Sequence, residues 1–274
     1  MKKHHFVTCY FNYCGYESRE RLTREFVARY PNVFLIEVAY GDKPFVINHT
    51  KTKQVRMRDF TGFITNELVN DYIRENRKSI ESLTILDSDL DLGKNFFENV
   101  EIHQADHISI PTFSQPFSRT RDLHKNSVGK TYSSMCKHFY DTKEYGQECH
   151  TGYCHTYNRA LLDLIGYLPT SLVLGGFDFL LFLCLLRKKE WLFSVLETID
   201  NDHVSREMLC LYDRLENVNV EYVAGEILHH FHGYKAKRYN NRFELYAGIN
   251  TEVIKKYFMS REEDESETLG YLPL

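Results

Sequence analysis

The first part of the chain alternates between strand-like and helix-like hydrophobic patterns. Residues 5–11 are rich in β-branched and aromatic side chains that alternate with polar ones, and residues 33–39 resemble them. Between these stretches, residues 16–30 carry an apolar side chain at every fourth position from Leu22 to Tyr30, which indicates an amphipathic helix. A strand, a helix and a second strand in this order predict a βαβ unit and therefore a parallel sheet.

Further elements follow from the same patterns. The polar residues 43–53 predict a loop or a small hairpin, and the polar residues 111–149 predict a long loop of the kind that forms a lid or a substrate-binding region. We expect helices at residues 58–77, 160–165, 177–189 and 204–215, a short helical turn at 96–99, and strands ending at Asp87 and spanning 100–110 and 218–224. The sequence thus predicts an α/β fold with a Rossmann-like, mostly parallel central sheet flanked by helices, in one domain over residues 1–260 with a charged tail at 261–274.

Composition excludes some classes of partner. The formal net charge is −4 and the basic residues are scattered, so nucleic-acid binding is a poor first hypothesis. The longest apolar run, residues 172–186, is shorter than a bilayer requires and contains Gly175, Gly176 and Asp178. It therefore predicts a buried helix, and we expect no membrane span.

Cysteine usage indicates a reducing compartment. Seven cysteines at irregular spacing do not suggest a disulfide framework, and no apolar stretch near Met1 resembles a signal peptide. We expect a soluble, cytoplasmic protein. The neighbouring pairs Cys149–His150 and Cys154–His155 offer four possible zinc ligands, but adjacent residues rarely face one metal, so a structural role is favoured.

The strongest candidate for chemistry is an acidic motif at the end of a predicted strand. The apolar residues 84–86 are followed by Asp87, Ser88 and Asp89. Ligands of open α/β sheets bind at the carboxyl ends of strands, and carboxylate oxygens suit Mg²⁺ or Mn²⁺. Such an ion in turn suits a phosphate ester, so the motif predicts a site for a nucleotide-linked substrate.

A second candidate is Asp178, which follows two glycines directly before an apolar helix. One interpretation is a helix N-cap, in which the carboxylate accepts hydrogen bonds from free backbone N–H groups. The other is a general base that takes a proton from an attacking hydroxyl. The sequence favours the cap but leaves both interpretations open.

A third candidate is the histidine-rich end of a predicted strand. His229, His230 and His232 provide imidazoles that can add a nitrogen ligand to a metal held by carboxylates. The basic side chains that follow, Lys235 and Arg238, suit the negative charge of a diphosphate.

Taken together, these motifs resemble the GT-A glycosyltransferases of the family-2-like kind, a group of bacterial and viral proteins. The resemblance covers most of the chain in the same order. It rests on residues 10–19, 35–41, 86–89 and 151–159, the Gly-Gly-x-Asp turn at 175–178, and the His-x-x-His-Gly stretch at 229–233.

The resemblance implies a nucleotide-sugar donor, UDP- or GDP-linked, a divalent cation that is usually Mn²⁺ (or Mg²⁺), and a glycan or similar hydroxyl acceptor. It implies a nucleotide-sugar half at about residues 1–110 and an acceptor half at about 111–260. Asp178 would activate the acceptor hydroxyl, with inversion at the anomeric carbon. The implied metal ligands are Asp87, Asp89 and His232 or His229, and the implied donor contacts are Tyr10, Phe11, Asn12, Glu37, Arg58, Asp87, Ser88, Lys235 and Arg238.

The chain departs from this pattern at two positions. Phe63 stands where the resemblance leads us to expect an asparagine, and Phe179 stands where a second acidic residue often follows the base. Asp178 would therefore act without an acidic neighbour.

Two other functions remain as alternatives. A catalytically inactive GT-A domain would bind a sugar or act as a scaffold. A sugar-phosphate nucleotidyltransferase would need a glycine-rich basic loop after the first strand, where residues 12–19 contain only Gly15. The aromatic side chains of the predicted long loop either stack on an acceptor sugar or anchor the loop; they are Phe113, Phe117, Tyr132 and Tyr140.

Overall fold

The computed structural model describes residues 3–12, 16–57, 64–123, 130–146, 149–172 and 175–230. The strands of these residues are β1 (Lys3–Phe11), β2 (Phe34–Tyr40), β3 (Thr52–Met57), β4 (Ile80–Leu86), β5 (Leu90–Leu92), β6 (Thr112–Gln115), β7 (Arg119–Asp122), β8 (Thr131–Ser133), β9 (Cys154–Asn158), β10 (Asn219–Tyr222) and β11 (Glu226–His229). The helices are α1 (Glu17–Arg29), α2 (Thr65–Asn76), α3 (Phe96–Asp106), α4 (Met135–Thr142), α5 (Arg159–Ile165), α6 (Phe177–Leu185), α7 (Lys189–Ile199) and α8 (Asp202–Arg214).

A seven-stranded sheet in the order β10-β6-β9-β4-β1-β2-β3 forms the centre of the fold. β1 pairs in parallel with β2 and β4, β2 with β3, and β6 with β10. β9 pairs antiparallel with both β4 and β6, so it alone of these seven strands runs against the others. The prediction of an α/β fold with a mostly parallel sheet flanked by helices is confirmed.

A second, four-stranded sheet, in the order β5-β11-β7-β8, packs against one face of the central sheet. Its apolar side chains, among them Leu90 and Ile227, join Phe6, Tyr10 and Phe26 in one buried cluster. The opposite face of the central sheet packs on α2 and on the helices from α5 to α8. The small sheet thereby brings the ends of β7 and β11 toward the same edge as the end of β4.

The apolar run near residue 180 forms α6, a buried helix of nine residues, as predicted. All but two of its side chains are buried, because it packs on the sheet and on α7 and α8 at once. No helix in the described part of the chain is long and apolar enough to cross a membrane.

Two predicted elements are wrong. Residues 100–110 do not form a strand, because α3 extends to Asp106 and buries Phe96, Val100 and Gln104 at every fourth position. Residues 111–149 are not one long loop, since they contain β6, β7, β8 and α4. β6 reads as polar but is completely buried, and Gln115 at its end accepts a hydrogen bond from Cys136 N and donates one to His150 O.

Four further elements were not predicted. β3 extends the parallel sheet from the end of the polar residues 43–53, and β5, β9 and α7 lie where the sequence indicated no regular structure. β3 and β9 are rich in polar residues, but their backbone groups pair with β2 and with β4 and β6. Pairing with neighbouring strands decides their conformation, and a single sequence does not show that pairing.

Glu37, one of the implied donor contacts, lies in the middle of β2 and is 1% exposed. Its contact with a nucleotide remains a prediction. Its Oε1 accepts hydrogen bonds from the backbone N–H groups of Val46 and Ile47, and its Oε2 accepts one from Gln54 at 3.2 Å. These bonds fix the connection between β2 and β3, so the carboxylate is a structural group of the fold.

Replacing Glu37 with leucine would leave these backbone donors unpaired in a buried setting. We expect the Glu37→Leu variant to lose about 3 kcal/mol of unfolding free energy, measured by urea denaturation. Glu37→Gln keeps one acceptor and should lose less. Glu75→Gln, at an exposed partner of Lys53, is the matched control and should change little. Equal losses for the Glu37→Leu and Glu75→Gln variants would contradict this role.

Candidate active site

The central sheet has a crevice where the strand order reverses, between the carboxyl ends of β1 and β4. β2 and β3 follow on one side of β1, and β4 lies on the other. The two strands are closely joined there, because the Thr8 hydroxyl donates a 2.8 Å hydrogen bond to the carbonyl oxygen of Leu86. Open α/β sheets bind ligands at such switch points.

The acidic motif predicted from the sequence lies at this crevice. Asp87 follows β4 directly and is exposed, and its backbone N–H donates to the carbonyl of Tyr153 at 2.8 Å. Ser88 is buried and shares a 2.8 Å hydrogen bond with the hydroxyl of Thr23 on α1. Asp89 is 5% exposed. The Ser88 hydroxyl therefore anchors the motif to α1. Its contact with the donor remains a prediction.

His229, at the end of β11, lies beside Asp89. The separation between His229 Nε2 and Asp89 Oδ2 is 3.9 Å. On the other side of the ring, Nδ1 lies 3.4 Å from Asp122 Oδ1 and 3.2 Å from the phenol oxygen of Tyr153. Two oxygens on one side of the imidazole thus orient its other nitrogen toward Asp89.

The charges of three carboxylates act on this imidazole. Burial opposes the charged form of His229, but the hydrogen bond to Asp122 and the charge of Asp89 outweigh burial and raise the pKa of the ring. Burial also raises the pKa of the Tyr153 phenol, and the charges of Asp122, Asp89 and Asp87 raise it further. His229 and Tyr153 therefore lie in one negatively charged environment, the acidic pocket, to which Asp87, Asp89 and Asp122 contribute the charge.

Asp122 and Tyr153 are site residues that the sequence analysis missed. Asp122 ends the short strand β7 and pairs in register with His229. Tyr153 lies just before β9 with a positive φ of 76°, stacks on His150 with ring centroids 3.5 Å apart, and tilts against His229. A Gly-Tyr-Cys sequence gives no signal for this role. The predicted loop at 111–149 concealed β7, whose acidic end would have been the signal.

Asp178 occupies the second position of α6, after the N-cap residue Gly176 with φ of 94°. It is therefore not the N-cap residue that the sequence favoured. Its Oδ2 accepts a 2.9 Å hydrogen bond from the Thr151 hydroxyl. A Cβ at Gly152 would lie 3.2 Å from this oxygen, so the glycine allows the close approach.

Residues 151–153 connect the two halves of the site. Thr151 binds Asp178, and Tyr153 contacts His229. The Cα atoms of residues two apart in sequence lie at most about 7 Å from each other. The Asp178 carboxylate of α6 and the acidic pocket at the ends of β4, β7 and β11 are therefore contacted by two residues of one three-residue segment.

The predicted donor contacts at the end of β1, Tyr10, Phe11 and Asn12, differ from one another in their surroundings. Tyr10 and Phe11 are 4% and 2% exposed, and they pack in the clusters on opposite faces of the sheet. The amide of Asn12 donates to the Tyr16 carbonyl and accepts from the Tyr16 N–H, which positions the start of α1. Their contact with a nucleotide remains a prediction. Arg58, Phe63, His232, Lys235 and Arg238 lie outside the described residues.

His230 has a partner of its own. Its Nε2 lies 3.0 Å from Asp91 Oδ2, and Asp91 also pairs with Arg29 of α1. The imidazole of His230 therefore belongs to an ion-pair cluster beside the acidic pocket. Of the two described histidines, His229 places its ring against the Asp89 carboxylate, whereas the backbone N–H of His230 donates to the Asp89 carbonyl at 2.9 Å.

The donor set of the pocket fits a divalent cation that arrives with a phosphate group. Within the described residues, no three His, Cys, Asp or Glu side chains converge closely enough to hold a metal ion by themselves. Asp89 and His229 do face each other, and Mg²⁺-type ions often bind one or two carboxylates together with water and substrate phosphates. Asp122 supports this fit, because metal-bound histidines usually bind a carboxylate through their other nitrogen.

The four possible zinc ligands near residue 150 do not form a centre in the described part of the chain. Cys154 is 1% exposed within the core, and His155 Nε2 contacts the Thr151 carbonyl at 2.6 Å. His150 stacks on Tyr153. The structural role favoured from the sequence agrees with these contacts.

Comparison with solved structures returns glycosyltransferases. A structure of GalNAc-T7 with UDP, GalNAc and Mn²⁺ is 11% identical and aligns with 99% of this chain and 52% of its own, with a TM-score of 0.42. S. aureus TarS is 11% identical and aligns with 84% of this chain and 37% of its own, with a TM-score of 0.41. The catalytic domain of Drosophila β1,4-galactosyltransferase 7, in complex with xylobiose, is 10% identical over 80% and 64%, with a TM-score of 0.36.

The chain thus spans 37–64% of the length of these structures. TM-scores of 0.36–0.42 are too low to transfer a function from them to this chain. No protein-family model and no curated protein sequence matches the chain.

Asp122 gives a direct test of the pocket. Because Asp122 orients His229, we expect Asp122→Asn to weaken Mn²⁺ binding in the presence of UDP by about 10–100-fold, measured from the electron paramagnetic resonance signal of free Mn²⁺. The matched control is Asp141→Asn, at an exposed partner of Lys137 on α4, which should bind like the parent protein. Equal Mn²⁺ affinity in the two variants would contradict the role of Asp122.

Proposed function

We propose that this protein is a metal-dependent glycosyltransferase that moves a sugar from a nucleotide-sugar donor to a hydroxyl group of a glycan or similar acceptor. A UDP-sugar is the favoured donor, and a GDP-sugar is the next choice. The observation that carries the proposal is the connection made by residues 151–153. It links a carboxylate suited to proton transfer, Asp178, to a pocket suited to a metal-bound diphosphate.

In this proposal, the diphosphate of the donor binds at the crevice between β1 and β4. Asp89 and His229 would hold the metal ion, Asp87 would supply a further oxygen donor, and His232 is a predicted additional ligand. A bound Mn²⁺ or Mg²⁺ would stabilise the negative charge on the departing diphosphate. Asp122 and Tyr153 keep the His229 ring in the orientation that binding requires.

Asp178 serves as the general base. The acceptor hydroxyl loses its proton to Asp178, its oxygen bonds to the anomeric carbon, and the bond from that carbon to the diphosphate oxygen breaks. The nucleoside diphosphate leaves with the electron pair. Thr151 donates to one carboxylate oxygen and so fixes the direction of the other. A base opposite the leaving group produces inversion, which we propose as the stereochemical outcome.

The remaining predicted residues belong to the donor side of this proposal. Asn12, at the end of β1, is the described residue best placed to meet the nucleoside, and Lys235 and Arg238 would neutralise the diphosphate. Tyr10 and Phe11 would shape the floor of the crevice from within the core.

Metal and nucleotide should bind together, because the described protein ligands are too few to hold the ion alone. We expect Mn²⁺ with UDP to raise the melting temperature clearly, and either one alone to raise it little. GDP and CMP serve as comparison nucleotides. The shift should disappear in Asp89→Ala and persist in Asp91→Ala, a neighbour that pairs with Arg29 and His230.

No shift with any of the three nucleotides would refute the donor site. A shift with a nucleoside triphosphate and a sugar phosphate, but not with UDP, would favour the nucleotidyltransferase alternative. A shift with UDP and Mn²⁺, in a protein that never consumes a nucleotide sugar, would favour the inactive sugar-binding alternative.

Asp178 separates binding from turnover. We expect Asp178→Asn to reduce sugar transfer by at least about 100-fold, while the melting shift with UDP and Mn²⁺ stays unchanged. Release of UDP from a nucleotide-sugar panel measures the turnover. Asp163→Asn, at a surface carboxylate bound by Arg77 and Arg159, is the control and should keep full activity. An active Asp178→Asn variant would remove Asp178 as the base.

A further inference from the structure

An aromatic cluster lies directly beside Asp178. The Tyr145 ring packs edge-on against Phe179, with centroids 6.2 Å apart and planes at 87°. It also packs edge-on against Trp191 on the first turn of α7, at 5.3 Å and 71°. Phe179 follows Asp178 in the first turn of α6. Three aromatic rings therefore continue from the proposed base toward α7.

This cluster is partly open to solvent, unlike Phe113 and Phe117, two of the four aromatic residues considered from the sequence; Tyr140, a third, is 49% exposed. Phe113 and Phe117 are completely buried and cannot meet an acceptor. Trp191 is 46% exposed, although it is a large apolar side chain, and Tyr145 and Phe179 are half-buried. A ring that is held at its edge by a neighbour and exposed elsewhere offers a rigid apolar surface to a ligand.

The cluster is also electrically coupled to the base. Burial raises the pKa of the Tyr145 phenol to about 12, and the charge of Asp178 contributes to this rise. The phenol thus lies within the field of the carboxylate. On the other side of residues 151–153, Tyr153 contacts His229 of the acidic pocket. The aromatic cluster and the acidic pocket are thus linked to Asp178 through different residues, the cluster through Phe179 and the pocket through residues 151–153.

We propose that Trp191, Tyr145 and Phe179 form the acceptor subsite and that the acceptor is a saccharide whose ring stacks on Trp191. This inference rests on the proposed function. One face of a pyranose ring presents C–H groups, which suit the electron-rich face of an aromatic ring, while its hydroxyl groups point outward. A sugar stacked on this cluster would direct a hydroxyl toward Asp178. An acceptor without such a face would gain nothing from the cluster.

Trp191 is the only tryptophan of the chain, so its fluorescence reports on this subsite alone. The probes are lactose, cellobiose, maltose and chitobiose, each titrated into the full chain with UDP and Mn²⁺ present. We expect at least one of them to shift the Trp191 emission in a saturable way. Tyr145→Phe keeps the ring and should retain the affinity, whereas Tyr145→Ala should weaken it about tenfold.

Phe193 provides the matched control. It lies on the same helix as Trp191 and is 41% exposed. Because it is two residues further along, its side chain points about 200° away from Trp191 around the helix axis. Phe193→Ala should therefore bind each disaccharide like the parent protein. Trp191→Ala, followed by saturation-transfer NMR of the sugar, should bind about tenfold more weakly. Melting curves of each variant confirm that it is folded.

The outcomes separate this inference from the proposed function. A melting shift with UDP and Mn²⁺, but no emission change with any of the four sugars, would overturn the subsite and leave the donor site intact. Equal losses in Phe193→Ala and Trp191→Ala would also overturn it. An emission change without any UDP response would support the saccharide subsite and refute the proposed transferase.

Discussion

The balance of charge around His229 is the constraint on which this site depends. Asp89 and Asp122 flank one imidazole in a largely buried setting, and the charge of Asp87 also acts on it. Carboxylates held this close repel one another unless a cation or a proton lies between them. Burial opposes charge on His229, but the hydrogen bond to Asp122 and the charge of Asp89 outweigh it and raise the pKa of the ring, so these carboxylates favour positive charge at that position. A metal ion at Nε2 would take the place of the proton and supply more charge.

The backbone arrangement explains why these groups meet. Parallel strands bring the ends of β1 and β4 to one edge, and the small sheet brings β7 and β11 to the same edge. The antiparallel strand β9 starts there as well, because it pairs with β4 in the opposite direction. Its entry segment, residues 151–153, contacts both His229 and Asp178. A sheet with β9 reversed would separate the base from the metal pocket.

The sequence predicted those parts of the fold that depend on local hydrophobic pattern. The βαβ start, the strand before Asp87 and the buried helix after Gly176 all came from apolar periodicity, and the structure contains them. The short polar strands β6, β7 and β9 were missed, because their stability comes from pairing partners distant in sequence. Asp122 and Tyr153 were missed for the same reason. Nothing in the sequence indicated that the Glu37 carboxylate accepts hydrogen bonds from the backbone of Val46 and Ile47, because these partners follow in a separate loop.

The central claim is that a divalent ion and a nucleotide share the pocket of Asp89 and His229. Crystals soaked with UDP and Mn²⁺, and measured near the manganese absorption edge, would locate the ion by its anomalous scattering. The account predicts a single strong peak at bonding distance from Asp89 and from Nε2 of His229, with UDP phosphate oxygens completing its coordination. A peak at any other place, or bound UDP with no metal between Asp89 and His229, would contradict it.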